Sequence, residues 1–144
     1  MDLPSSLFTS SIEEGNIYYF TTDQINTQVP HHFICIKKSD KVVLFNCCTS
    51  NPDSMYKFVT AKKLSEETIV TIPAFTKGTE LTKHTYINCN EDPIEFTLEQ
   101  FTDKFKALKV KSTGTIDAEY FSKILAGIRA SDMIDEEMKE FIGC

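Results

Sequence analysis

Long hydrophobic runs are missing from this chain. None approaches the roughly 18 residues a membrane-spanning helix needs, and Met1 to Ser11 hold neither a basic residue nor the apolar stretch of a secretory or transit leader. The expectation is a cytoplasmic protein with no membrane partner. Arginine is nearly absent, with Arg129 the sole example, so anion binding elsewhere in the chain must draw on lysine, histidine, hydroxyls or backbone amides. Common nucleotide and hydrolase signatures are also lacking: there is no Walker loop, dinucleotide fingerprint, G-x-S-x-G elbow or H-E-x-x-H.

The five cysteines, Cys35, Cys47, Cys48, Cys89 and Cys144, are an odd number without metal-ligand spacing. The first four sit in apolar, strand-like runs, which suits buried reduced thiols. Adjacent Cys47 and Cys48 would point to opposite faces of a strand, so no metal or other cofactor is expected.

The 144 residues, 41% hydrophobic and 25% charged, fit one domain with one soluble core. The net charge of −6 weighs mildly against a phosphate-rich partner, but the charge is unevenly spread. Residues 115 to 144 hold seven acids against three bases, a balance of −4, whereas Lys37 to Lys83 hold eight lysines against five acids, a balance of +3. A solvated lysine face and a locally basic anion site both account for that reversal.

Asn16-Ile17-Tyr18-Tyr19-Phe20 reads as a first strand, and Thr21 to Pro30, polar and aperiodic, as an exposed loop. His31 to Ile36 and Val42 to Cys48 are apolar runs joined by Lys37-Lys38-Ser39-Asp40-Lys41, the pattern of a hairpin. In the first run both faces are apolar, which fits a closed or half-closed barrel. Tyr56 to Val59, Thr68 to Ile72 and Thr85 to Cys89 supply further short strands. The period then changes. Thr97-Leu98-Glu99-Gln100 has capping-box form and opens a helix expected over about 98 to 109. A second helix follows Thr115 and Asp117, and a third, capped by Ser131, carries Ile134, Met138, Phe141 and Ile142 on one side. The expected architecture is a single α+β domain: a small antiparallel β-barrel core over about 12 to 95, then a helical part over about 96 to 144.

Adjacent His31 and His32 cannot both face the core, so at least one is expected to reach solvent, where imidazole can take or return a proton near neutral pH. Pairing inward from the Lys37 to Lys41 turn places positions summing to about 80 opposite each other, so His31 or His32 should lie near Asn46 to Thr49. Thr49 and Ser50 close that second strand and would set two hydroxyls beside an imidazole. Lys83 and His84 open a later strand and offer another cation and imidazole at the same barrel end. Each group also has an ordinary structural reading, as strand-end, turn or surface residue.

Gly15-Asn16-Ile17-Tyr18, His31-His32-Phe33-Ile34-Cys35-Ile36, Val42-Val43-Leu44-Phe45-Asn46 and Thr49-Ser50, in that order, resemble the PemK/MazF-like toxins of type II toxin–antitoxin systems. Lys83-His84-Thr85-Tyr86 and the final helices also resemble segments of divergent members. The resemblance implies an SH3-like barrel of the MazF/CcdB type and metal-independent cleavage of single-stranded RNA by 2′-hydroxyl transesterification. It implies His32 as acid or base, Thr49 and Ser50 as phosphate holders, Lys83 as charge stabiliser, and His31 or His84 as the second proton-transfer group. A cognate antitoxin and a homodimer are the implied partners. The acidic balance and the lack of an Arg-Pro motif before the central strand suit a second possibility, a non-catalytic barrel that binds a protein such as an antitoxin or gyrase.

Overall fold

The computed structural model describes residues 9–25 and 28–144. The strands are β1 (Asn16–Phe20), β2 (His31–Lys38), β3 (Val42–Thr49), β4 (Ile69–Ile72), β5 (Thr85–Asn88), β6 (Ile94–Thr97) and β7 (Lys111–Thr115). The helices are α1 (Asp53–Lys62), α2 (Leu98–Lys106), α3 (Ala118–Ala130) and α4 (Glu136–Ile142). All strand pairs are antiparallel, in the order β4-β5-β3-β2-β1-β7, with β6 also beside β3. The result is an α+β fold built on a curved half-barrel sheet. In the 21–30 loop, Asn26 and Thr27 lie outside the described residues, and the remainder holds no helix or strand.

The expected hairpin forms with the expected register: Phe33 lies opposite Cys47, Ile34 opposite Asn46 and Cys35 opposite Phe45. β3 then divides its outer edge between two partners. Val42 to Phe45 pair with β6, and Cys48 with Thr49 pair with β5. The half-barrel is drawn together by the segment between β4 and β5, where Glu80 N–H donates to Thr113 O (2.8 Å) and Thr115 N–H to Gly78 O (2.9 Å). Backbones meet closely here: a β-carbon on Gly114, whose φ is 122°, would fall on the Gly78 carbonyl and 2.6 Å from Thr79 Cα. Only glycine suits that position.

Both sheet faces are buried, as the apolar content of β2 requires. One face packs aliphatic side chains, including Ile17, Ile34, Leu44, Ile72 and Ile87, against Ile124 and Ile128 of α3 and Ile142 of α4. The opposite face is aromatic: Tyr18, Phe20, Phe33 and Phe45 pack on Phe101 of α2. Phe101 is fully buried and meets Phe45 with ring centroids 4.6 Å apart; burial of such a side chain contributes about 1.5–3 kcal/mol. Cys48 joins the aliphatic core and Cys47 packs at the edge of the aromatic one, the opposite-face placement expected of neighbours on a strand.

The Thr97/Gln100 capping box forms in full, and Asp117 caps α3 through Tyr120 N–H. Four expectations need correction. Tyr56 to Val59 belong to α1, not a strand, because Met55 and Val59, four residues apart, bury one helical stripe that a four-residue window cannot show. The last third is not wholly helical, since the polar Lys111–Thr115 segment is an edge strand on β1. Asp135, not Ser131, caps α4, accepting from Met138 N–H at 2.8 Å. Ser131 instead ends α3 and donates to the buried Asn90 Oδ1 at 2.6 Å, where Asn90 Nδ2 continues to Thr68 Oγ1 at 2.8 Å. The helix expected over about 98 to 109 ends early, since α2 stops at Lys106 and Leu108 follows in the left-handed region at φ 60°.

Candidate functional site

An antiparallel hairpin sets the start of β2 beside the end of β3, and the neighbouring pairings bring the end of β1 and the start of β5 to the same rim. There the chain forms an open cleft of ≈ 430 Å³. His31, His32, Thr49, Ser50 and Lys83 all line it, together with Tyr19, Pro30, Cys48 and Thr82, and none of the described residues that line it is acidic. His84, the sixth candidate, is not part of the lining. Its Nδ1 accepts from Ala74 N–H at 3.1 Å, which ties the 73–75 turn to the start of β5.

His32 is the most constrained group. Tyr19, its partner across β1 and β2, lies against the imidazole with ring centroids 4.7 Å apart and remains 37% exposed. Nδ1 lies 3.1 Å from Thr113 Oγ1. That threonine occupies a bulge in β7: Ile17 pairs with Gly114 and Tyr18 with Ser112, which leaves Thr113 as the extra residue. A bulge of this kind re-aims a side chain, and here the buried hydroxyl donates to Ile17 O at 3.4 Å. With its one proton directed at Ile17 O, the hydroxyl is left to accept from His32, an arrangement that favours hydrogen on Nδ1 and a lone pair on Nε2.

Burial lowers the His32 pKa from its ordinary 6.5; the Glu80 carboxylate opposes this, and His31 and Lys111 add to it. The ring is therefore neutral at pH 7 and able to accept a proton. His31 is fixed through Nδ1, which donates to Val29 O at 2.8 Å, so its Nε2 is likewise left for other partners.

Thr49 Oγ1 accepts from Asn51 N–H at 3.2 Å and donates to Asn51 O at 3.4 Å, so this hydroxyl shapes the turn after β3. Ser50 is exposed, and among the described residues its hydroxyl has no partner. Lys83 is exposed and forms no ion pair among the described residues. Cys48, though at the cleft wall, is a poor nucleophile: complete burial holds its thiol far above the usual range. Burial pushes Cys47 up to about 11 in the same way. Among the described residues no group of three or more histidine, cysteine or acidic side chains is placed to hold a metal ion, and no helix is long and apolar enough to cross a membrane.

Tyr19, Glu80, Lys111 and Thr113 were not among the residues singled out by sequence. Tyr19 carried a weak signal as an aromatic on the strand next to His32. The other three reach His32 through the pairing of β7 with β1 and with the 78–80 segment, which no local pattern announces. Such an arrangement, a neutral oriented imidazole beside a second imidazole and, among the described residues, an unpaired lysine and a free hydroxyl, has the chemistry to hold an anion and to exchange a proton with it. The chain matches no protein-family model and no curated protein sequence, so the fold and the cleft define its class: an α+β half-barrel protein with a histidine-lined cleft.

Proposed function

We propose that this protein is a PemK/MazF-like toxin on an SH3-like barrel of the MazF/CcdB type, and that its cleft cleaves single-stranded RNA without a metal ion. The observation that carries the reading is the convergence of His31, His32, Thr49, Ser50 and Lys83 on one acid-free cleft. His32 Nε2 takes the proton of a ribose 2′-hydroxyl, and the oxygen attacks the adjacent phosphorus. The new 2′-O–P bond forms as the P–O5′ bond breaks, and His31, in its protonated form, returns a proton to the departing 5′-oxygen. The products are a 2′,3′-cyclic phosphate and a 5′-hydroxyl. Lys83 neutralises charge gained by the phosphoryl oxygens, and Ser50 with the turn shaped by Thr49 holds the phosphate. The ribose 2′-hydroxyl is the nucleophile, so DNA is not a substrate. On this reading a cognate antitoxin is the regulator and a homodimer the working assembly.

Incubating long, mixed-sequence single-stranded RNA with the pure protein in EDTA tests the proposal. Fragments ending in cyclic phosphate are expected, with at least a hundredfold loss in His32→Ala and an unchanged circular dichroism spectrum. Intact RNA, or equal cleavage by His32→Ala, would reject it.

A further inference from the structure

The far end of the β2–β3 hairpin carries a second concavity, unlike the cleft in chemistry. At about 3.4 Å per residue the two lie roughly 25 Å apart along the strands. This groove, of ≈ 620 Å³, runs between the hairpin turn, β6 and α4. Its apolar floor is Val42, Met138 and Phe141, and Phe141 stays 41% exposed beside the buried Ile142. Around that floor stand four carboxylates, Asp40, Glu95, Asp135 and Glu137, against the single Lys41 in the lining. All four are exposed, and none forms an ion pair among the described residues. Asp135 spends one oxygen on capping α4. The Lys37 ammonium, 5.9 Å from the Phe141 ring centroid, shows that this ring already accepts a cation over its face.

We propose that this groove docks a basic amphipathic peptide segment of a partner protein, with one apolar side chain seated on Met138 and Phe141 and flanking lysines or arginines meeting the four carboxylates. Charge complementarity selects that occupant. Nucleic acid and anionic lipid surfaces are repelled by the rim. A second copy of this chain docked through the same face would set its own four carboxylates against these. The exposed aromatic supplies the anchor site around which interface energy concentrates, while the acids set orientation and encounter rate. The groove shares no lining residue with the cleft, so this docking stands whether or not the cleft cleaves RNA.

The probe is a fluorescein-labelled twelve-residue peptide of lysine and arginine around one central phenylalanine, titrated by anisotropy against the full chain, with a control peptide in which serine replaces phenylalanine. Saturable binding to the first peptide is expected, weakened by salt, with resonance shifts confined to 39–42, 95 and 135–141. Phe141→Ala and the double variant Asp40→Lys/Glu137→Lys should each weaken it roughly tenfold or more, whereas Glu119→Lys, an exposed acid outside the groove, should leave it within about twofold. The two groove changes act on exposed side chains through different physics, so loss in one through misfolding leaves the other as a test. Equal binding of both peptides, equal loss in Glu119→Lys, or shifts elsewhere would show unspecific charge attraction and overturn the proposal. Self-association abolished by Phe141→Ala would assign the face to a second copy and overturn it equally.

Discussion

Replacing Thr113 by valine keeps the volume of the bulge residue but removes the oxygen that receives the His32 Nδ1 hydrogen. In the native protein that oxygen lies 3.1 Å from Nδ1 and is itself anchored to Ile17 O. A neutral hydrogen bond of this kind contributes about 1 kcal/mol net, equivalent to roughly a fivefold bias toward one tautomer. Thr113→Val should therefore shift the ratio of the Nδ1–H to the Nε2–H form of His32 about fivefold toward the latter and so lower the fraction with a lone pair facing the cleft. Nitrogen-15 spectra of the histidine side chains read that fraction directly, without reference to any activity. RNA cleavage, if the cleft performs it, should fall in proportion to that fraction, by at most about fivefold, through the maximal rate rather than the apparent affinity. The melting temperature should drop by roughly 2–4 °C, and Thr113→Ser should restore the tautomer. An unchanged Nδ1–H population in Thr113→Val would refute the assignment of Thr113 as the positioning residue for His32.

The close crossing of α3 over the sheet makes Gly127→Ala costly: a β-carbon there would sit 2.8 Å from Cys89 Sγ and 2.9 Å from the Glu67 carbonyl. About 1–3 kcal/mol of stability should be lost, read as a lower urea midpoint with an unchanged slope. Burial lowers the folded-state pKa of His32, so the unfolded chain binds the proton more readily. The contribution is complete above the ordinary value of 6.5 and is lost as pH falls below it; His32→Gln should flatten the decline of melting temperature from pH 7 to 5. Parallel slopes in the two proteins would contradict this. Cys35 and Cys89, whose thiols burial pushes up to about 12, and fully buried Cys48 should resist iodoacetamide at pH 8 in the native state and react once urea unfolds the chain, as peptide mapping would show.

The parts of the fold legible in the sequence are those written in neighbouring residues. The hairpin followed from two apolar runs and a polar turn, and its register placed His31 or His32 near Asn46 to Thr49, as the Phe33–Cys47 pairing has it. Thr97 with Gln100, and Asp117, announced their helix starts through side chains that bond backbone three residues on. What stayed hidden depends on distant pairing. β7 reads Lys-Ser-Thr-Gly-Thr, with only Thr113 buried, and becomes a strand because β1 offers it an edge. His84 looked equivalent to Lys83 by proximity, but its Nδ1 is taken by the Ala74 amide. Tyr56 to Val59 carried strand-forming residue types while the Met55–Val59 spacing required a helix.

The strand that changes partners midway separates the molecule into halves of unequal security. Toward β6, β3 holds four residue pairs and backs onto the aromatic core; toward β5 it holds two. At the fork, Asn46 Oδ1 is buried and, among the described residues, without a hydrogen-bond partner, and such an atom favours any excursion that admits water to it. Opening should therefore begin at the fork and peel β5, with β4 and α1, away from β3, while the aromatic half stays shut. Amides of the β3–β5 pair should exchange with solvent sooner than those of the β3–β6 pair. The wall that swings is the one carrying Lys83, so the cleft would be wider in solution, for short intervals, than its resting shape implies, and if its ligand is the RNA proposed above, a strand would enter sideways instead of threading from an end.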